Sequence, residues 1–162
     1  MAKIEFSVLF VCTGNTCRSP MAEGLAKQSL AQLKGVSVDR LEDAGVRVRS
    51  AGVMTGGGSP ASGQAIDAMT QVGVDLTGHA SRPLTADLIQ DADAIYTMTD
   101  SHRQAVLMHS PNASEKTHRL DPDDDIIDPF GSPVEVYVQT AEMIREALAK
   151  RIAERYSDEA KA

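Results

Sequence analysis

The chain is predicted to be an α/β protein, a three-layer, doubly wound parallel sheet of about four strands. Three features predict it. Short apolar runs alternate with segments of helical periodicity, the first run is apolar enough for a strand buried on both faces, and the chain closes on a long amphipathic stripe. Strands separated by helices return parallel through right-handed crossovers, which leaves helices on both faces of the sheet. At 162 residues the chain fits a single domain spanning 1–162 and needs no disulfide or metal staple.

Each element has its own signal. Ile4 to Val11 reads as the central strand, bounded by a Gly-Asn loop. Ser19 as a cap and Pro20 at the first helical position open a helix. Its inward stripe is Ala22, Leu25, Ala26, Leu30 and Leu33, and Gly35 stops it. Val46 to Ala51 alternates apolar and polar residues and reads as a strand near the sheet edge. Gln64 to Val72 forms a helix with Ile66 and Met69 inward, and Leu84 to Leu88 a shorter one with Thr85 or Ser81 near its start. Ala94 to Met98 is the third strand, Asp100 to His109 the helix after it, and Thr117 to Leu120 a short fourth strand. Residues 121–133, rich in Asp and Pro, form a loop. Val134, Val138, Ala141, Ile144, Leu148 and Ile152 mark the final helix.

Composition narrows the function. Apolar residues make up 42% and charged residues 24%, ordinary for a globular protein, and no run approaches the ~18 residues of a membrane span. Sixteen Lys and Arg against 23 Asp and Glu give a net charge of −7, which argues against a nucleic-acid partner held by its phosphate backbone. Phe6 to Val11 has the length of a signal-peptide core, but only Lys3 precedes it as a charge and no small-residue cleavage site follows. A cytoplasmic location is therefore expected. Two cysteines, Cys12 and Cys17, share one short loop, which points to chemistry in a reducing compartment rather than to a disulfide scaffold. The four histidines have no ligand-like spacing to them, so neither a metal nor any other cofactor is expected.

The chemistry concentrates in residues 12–19. A strand, a tight loop and a helix start make an anion site, because consecutive backbone N–H groups converge there and the helix dipole adds positive potential. Gly14 and Asn15 are residue types that tolerate the positive φ such a cradle needs. Arg18 can curl back and fork two phosphate oxygens, beside amides from Thr13, Gly14, Asn15, Thr16 and Cys17. Cys12, at the strand end, would place a thiolate beneath a bound phosphate, poised for in-line attack on phosphorus. A bare Cys-x5-Arg pattern is weak; on a strand–loop–helix with Ser following the Arg it gains specificity. A second feature is Asp128-Pro129-Phe130-Gly131 in the loop after the last strand. Strand C-terminal ends share one edge of such a sheet, so Asp128 can serve there as acid and then base. Asp121, Asp123, Asp124 and Asp125 read as a solvated charge run.

Cys12-Thr13-Gly14-Asn15-Thr16-Cys17-Arg18-Ser19 with a late Asp128-Pro129 resembles the low-molecular-weight protein tyrosine phosphatase family, over essentially the whole chain and including Ser50-Ala51-Gly52. Thr16 and Asp128-Pro129-Phe130-Gly131 resemble its bacterial protein-arginine phosphatase branch; tyrosine-specific members usually carry an aliphatic residue at Thr16 and one or two tyrosines after the Asp-Pro. The resemblance implies a flavodoxin-like phosphatase fold, phosphorylated proteins as partners, and a monomer. It implies Cys12 as nucleophile, Arg18 and the loop amides as phosphate ligands, Ser19 as a hydrogen-bond donor to the thiolate and Asp128 as general acid and base. Asn15 would hold the loop's shape with His79 in support, although a satisfied structural histidine fits His79 equally well. Cys17 would form a reversible disulfide with Cys12 against over-oxidation, or would simply pack.

Residue chemistry also bears on the substrate. A phosphotyrosine pocket calls for aromatic walls, yet only Phe130 stands beside Asp128 and aromatics total 4% of the chain. Thr16 and Phe130 are thus the specificity positions, and they favour phosphoarginine, with phosphotyrosine the alternative. Arsenate reduction on the same scaffold needs a downstream cysteine pair that the chain lacks after Cys17. A non-catalytic phosphoprotein-binding module could dispense with Cys12 and Asp128.

Overall fold

The computed structural model describes residues 3–161, with side chains as far as residue 156. Its centre is β1 (Phe6–Cys12), buried along its whole length. Val8, Phe10 and Cys12 join one apolar cluster and Leu9 and Val11 another, the alternation that a strand covered on both faces imposes. β2 (Val46–Gly52) pairs parallel with one side of β1, from Phe6 opposite Val46 to Cys12 opposite Gly52. β3 (Ala94–Thr97) pairs parallel with the other side, and β4 (Thr117–Arg119) pairs parallel with β3. The order β2-β1-β3-β4 is the expected four-stranded parallel sheet with β2 at an edge.

Helices cover both faces. α1 (Arg18–Lys34), α2 (Gly63–Thr70) and α5 (Val134–Lys161) supply the larger cluster, with Met21, Leu25, Leu30, Met69, Ile144 and Leu148 all buried. α3 (Ala86–Asp91) and α4 (Asp100–His109) supply the smaller one through Ile89 and Val106. Each such buried aliphatic side chain contributes roughly 1.5–3 kcal/mol of transfer free energy. Among the described residues no helix is long and apolar enough to cross a membrane.

Several boundaries differ from the sequence reading for identifiable reasons. β1 begins at Phe6 and includes Cys12, because its pairing with β2 continues to Gly52. α1 begins at Arg18 rather than after Ser19; Cys17 occupies the cap position without a side-chain capping bond, and the Ser19 hydroxyl is used elsewhere. Pro20 is accommodated because it still lies in the first turn, where an N–H has no helical partner. Leu33, expected inward, is 53% exposed in the last turn of α1, just before Gly35 ends the helix at φ 69°. Ser62 caps α2 by accepting from Ala65 N–H, and Thr85 caps α3 by accepting from Leu88 N–H, so both helices start at their caps and α3 runs later than expected. Short 3₁₀ turns at Val38–Arg40 and Pro111–Lys116 lie in the connections between elements and carry no periodic apolar pattern.

The topology positions the site. The chain leaves β1 through α1 to β2 on one side, while β3 lies on the other, so the C-terminal end of β1 is the switch point where an open parallel sheet forms a crevice. Cys12 is the last residue of that strand.

Candidate active site

From Cys12 the backbone turns sharply into α1, and the turn depends on Asn15. Asn15 is the only non-glycine residue with positive φ (57°) among the described residues, and it is fully buried. Gly14, expected to share that conformation, does not adopt it. A buried Asn in this shape persists only if its polar atoms are satisfied. Its Nδ2 donates to Ser19 Oγ at 2.8 Å and to Ser50 Oγ at 2.9 Å, and its Oδ1 accepts from Arg82 N–H at 2.9 Å. Its carbonyl pairs with His79 Nε2 at 2.7 Å, which places His79 beneath the loop as a support. Ser50 in turn donates to Glu23 at 2.6 Å.

That chain of bonds has a direction. Ser19 Oγ already accepts from Asn15, so its own O–H is free to donate to Cys12 Sγ, 2.8 Å away. The Asn15 N–H also reaches Cys12 Sγ, at 3.3 Å. β2 closes on the loop from behind: a Cβ at Gly52 would lie 2.7 Å from the Thr13 carbonyl oxygen and 3.0 Å from Asn15 N. Only glycine permits that approach.

Arg18, 4% exposed, is held in place as well. Its Nη1 donates to the Ile126 carbonyl at 2.8 Å, and its Nη2 lies 3.5 Å from Thr13 Oγ1 and 3.6 Å from Asp128 Oδ2. The Ile126 contact ties the loop after β4 to the floor and brings Asp128 over it. Asp128 is half exposed, and its Oδ1 accepts from Phe130 N–H at 3.1 Å. Asp125 is more than part of a solvated run. Its Oδ1 accepts from Asp100 N–H at 2.9 Å, at the N-terminus of α4, and from Arg119 at 3.2 Å, and these donors hold its carboxyl below the usual carboxylate range.

Cys12, Thr13, Gly14, Thr16, Cys17, Arg18, Asp128 and Phe130 together line one open pocket of about 260 Å³. Every one of them was singled out in the sequence. Both cysteines are free thiols. Cys17 Sγ contacts Ser62 Oγ at 3.5 Å and Tyr137 O–H at 3.4 Å, and burial together with the Cys17 contact pushes the Tyr137 phenol up to about 12. No group of three or more His, Cys, Asp or Glu side chains that could hold a metal occurs among the described residues.

Sequence reasoning missed Ser50 and Glu23 as supports, Tyr137 beneath Cys17, and His102. The last donates or accepts at Thr13 Oγ1 across 2.8 Å, and burial, with Arg18 nearby, lowers its imidazole from 6.5 to about 4. Two signals were visible: Ser50 within the Ser50-Ala51-Gly52 match, and Thr99-x-x-His102 at the start of α4, a capping-box spacing with His in place of Glu.

A protein-arginine-phosphatase of Bacillus subtilis (strain 168) is 37% identical over 146 residues, 87% of this chain and 91% of that protein. A probable low molecular weight protein-tyrosine-phosphatase, EpsP, of Ralstonia nicotianae is 33% identical over 88% of this chain and 90% of its own. The solved structure of a YwlE arginine phosphatase mutant, carrying a phosphorylated active-site serine where a cysteine was replaced, superposes with a TM-score of 0.80 at 34% identity, covering 94% of this chain and 96% of the other. The family model described as low molecular weight phosphotyrosine protein phosphatase matches residues 7–161, and the chain belongs to that family.

Proposed function

We propose that this chain hydrolyses phosphoarginine in proteins through a phosphocysteine intermediate. The observation that carries the choice of substrate is the pocket wall. Among the described residues Phe130 is the only aromatic one lining it and is 77% exposed, so none of them encloses a phenyl ring with an aromatic wall. Thr16 lines the pocket with a hydroxyl where a bulkier aliphatic side chain would narrow it. The net charge of −7 suits a cationic, arginine-rich segment around the modified residue. The 37% identical relative named for arginine supports the same reading.

In the first step the Cys12 thiolate attacks phosphorus in line and the P–N bond breaks. Asp128 gives its proton to the departing guanidinium nitrogen. Loop amides and Arg18 carry the charge that grows on the equatorial oxygens. In the second step the Asp128 carboxylate takes a proton from water, the water oxygen attacks phosphorus, and Cys12 leaves as a thiolate stabilised by Ser19 O–H. Inorganic phosphate departs. Asp128 lies against Arg18 at 3.6 Å in the free site; a phosphoryl dianion competes for that guanidinium and frees the carboxyl to face the leaving atom.

The deciding experiment is parallel turnover on phosphoarginine and phosphotyrosine peptides of matched sequence. A kcat/KM at least about tenfold higher for phosphoarginine is expected, and replacement of Thr16 by Ile should shift preference towards phosphotyrosine. Preference for phosphotyrosine in the unaltered protein would favour the second reading, for which Phe130 at the pocket rim is the supporting contact. Further parts of the reading are a reducing, cytoplasmic setting, a monomeric enzyme, and a Cys12–Cys17 disulfide that protects the nucleophile. Inactivation by peroxide should then be reversed by thiol, less completely in Cys17→Ala.

A further inference from the structure

The Thr13 side chain lies at the junction of two donors, and the arrangement fixes where its own proton goes. His102 is 5% exposed and belongs to the capping box of α4: its N–H donates to Thr99 Oγ1 at 3.2 Å, and its Nδ1 accepts from Thr99 N–H at 3.2 Å. A nitrogen that accepts a backbone N–H carries no proton, so in the neutral ring the proton sits on Nε2. Nε2 therefore donates to Thr13 Oγ1 at 2.8 Å. Arg18 Nη2 approaches the same oxygen at 3.5 Å. With both lone pairs engaged, the Thr13 hydroxyl is left as a donor, and Thr13 lines the same pocket as Cys12.

We infer that Thr13 donates a side-chain hydrogen bond to a phosphoryl oxygen of the substrate, and that His102 is the positioning residue that enforces this donation. The inference rests on the reading of the pocket as a phosphoryl site but not on the choice of arginine. His102 touches neither substrate nor thiolate; it acts through Thr13 and, by sharing that oxygen, through Arg18. The charged groups near the imidazole are Arg18 from α1 and Asp125 and Asp128 from the loop after β4. Arg18 disfavours the imidazolium and the two carboxylates favour it, while protonation of Nδ1 would break the bond from Thr99 N–H. Burial outweighs the carboxylates and keeps the ring neutral, the form the relay requires.

The test is a double-mutant cycle read by turnover of 4-nitrophenyl phosphate and by inhibition with vanadate. Thr13→Val should lower kcat/KM by about 10- to 100-fold and weaken vanadate by a similar factor, and Thr13→Ser should recover most of that loss. His102→Ala should cost a comparable factor alone but less than about twofold in the Thr13→Val background. His102→Gln, which keeps an acceptor for Thr99 N–H and a donor towards Thr13, should lie between His102→Ala and the unaltered protein. Equal losses from His102→Ala in both backgrounds would overturn the relay and leave His102 a purely structural cap. Unchanged vanadate inhibition in Thr13→Val would overturn it as well, and that arm decides the question if His102→Ala does not fold. Failure of the unaltered protein to turn over both the aryl phosphate and a phosphoarginine peptide would instead sink the phosphatase reading itself.

Discussion

The floor of the pocket and its rim are built by opposite strategies. The floor, residues 12–19, hides its key polar groups and ties them down: Asn15 is fully buried and bonded through Nδ2, Oδ1 and its carbonyl, and Arg18 is held by Ile126 and Thr13. The rim, residues 121–133, is largely exposed apart from Ile126 and Pro129, and several of its side chains bond mainly to their own neighbourhood. Asp121 accepts from Asp123 N–H and Asp124 from Asp125 N–H, while Asp128 accepts from Phe130 N–H and meets the floor at Arg18, 3.6 Å away. Asp125 and Ile126 are its main anchors, Asp125 through Asp100 N–H and Arg119, and Ile126 by donating its N–H to the Met98 carbonyl and accepting from Arg18. The difference assigns preorganisation to the floor, where charge must be stabilised without delay, and adaptability to the rim, where a carboxyl has to follow the leaving group. Substitutions in the floor should therefore cost both stability and activity, and those in the rim activity alone.

The largest effect is expected at Cys12. Cys12→Ser should reduce turnover to background while vanadate still binds, because the amides and Arg18 remain. Turnover that survives intact would end the proposed mechanism. Asp128→Asn comes next, with kcat lowered by about 10²–10⁴-fold and thermal stability within about 0.5 kcal/mol of the parent, since the carboxyl is half exposed. A marked loss of stability in Asp128→Asn would erase the contrast between rim and floor.

Asn15→Ala sharpens the contrast from the other side. It removes three side-chain hydrogen bonds and forces a residue with a β-carbon and no compensating amide into φ 57°. The Ser50 and Ser19 hydroxyls lose the donor they accept from, keeping only Glu23 and Cys12 as partners, and the Arg82 N–H loses its acceptor. A stability loss of about 2–4 kcal/mol is expected by denaturant unfolding, together with a collapse of vanadate binding. Asn15→Ala that binds vanadate normally would show that the loop holds its shape without this strut.

The same division separates what could be read in the sequence from what could not. Cys12 through Ser19 are contiguous, so a strand end, a turn residue and a helix start were visible together; Cys12, Thr13, Gly14, Thr16, Cys17 and Arg18 line the pocket, whereas Asn15 and Ser19 are buried outside its lining. Asp128 was legible because parallel strands deliver their C-terminal ends to one edge, though its fit rested on the motif around it. His102, Ser50 and Tyr137 reach the site from 89, 35 and 120 positions away from their partners, and no periodicity encodes such pairings. Local signals also misled where tertiary demand overrode them. Ser19 has the chemistry of a helix cap, but Cys12 and Asn15 occupy its hydroxyl. Gly14 could have supplied the positive φ, but the network needs an amide side chain there, and Asn15 supplies both.

His102 gives the smallest expected effect and shows that the floor extends beyond its own loop. Its imidazole titrates at about 4 in the folded protein because burial and Arg18 oppose the charge, against about 6.5 when unfolded. The unfolded chain thus binds the extra proton first, and stability falls as pH drops through 6.5 towards 4. The loss reaches about 2 kcal/mol near pH 5 and is absent above pH 7. Asp125 acts in a separate, lower window: its carboxylate is favoured by the fold, so its contribution disappears only as pH falls through the ordinary carboxylate range and below. Unfolding free energies measured at pH 7.5 and pH 5 should therefore converge in His102→Gln relative to the parent. If His102→Gln retains the full acid sensitivity between those two values, the buried imidazole is not its source, and the floor ends at the residues of its own turn.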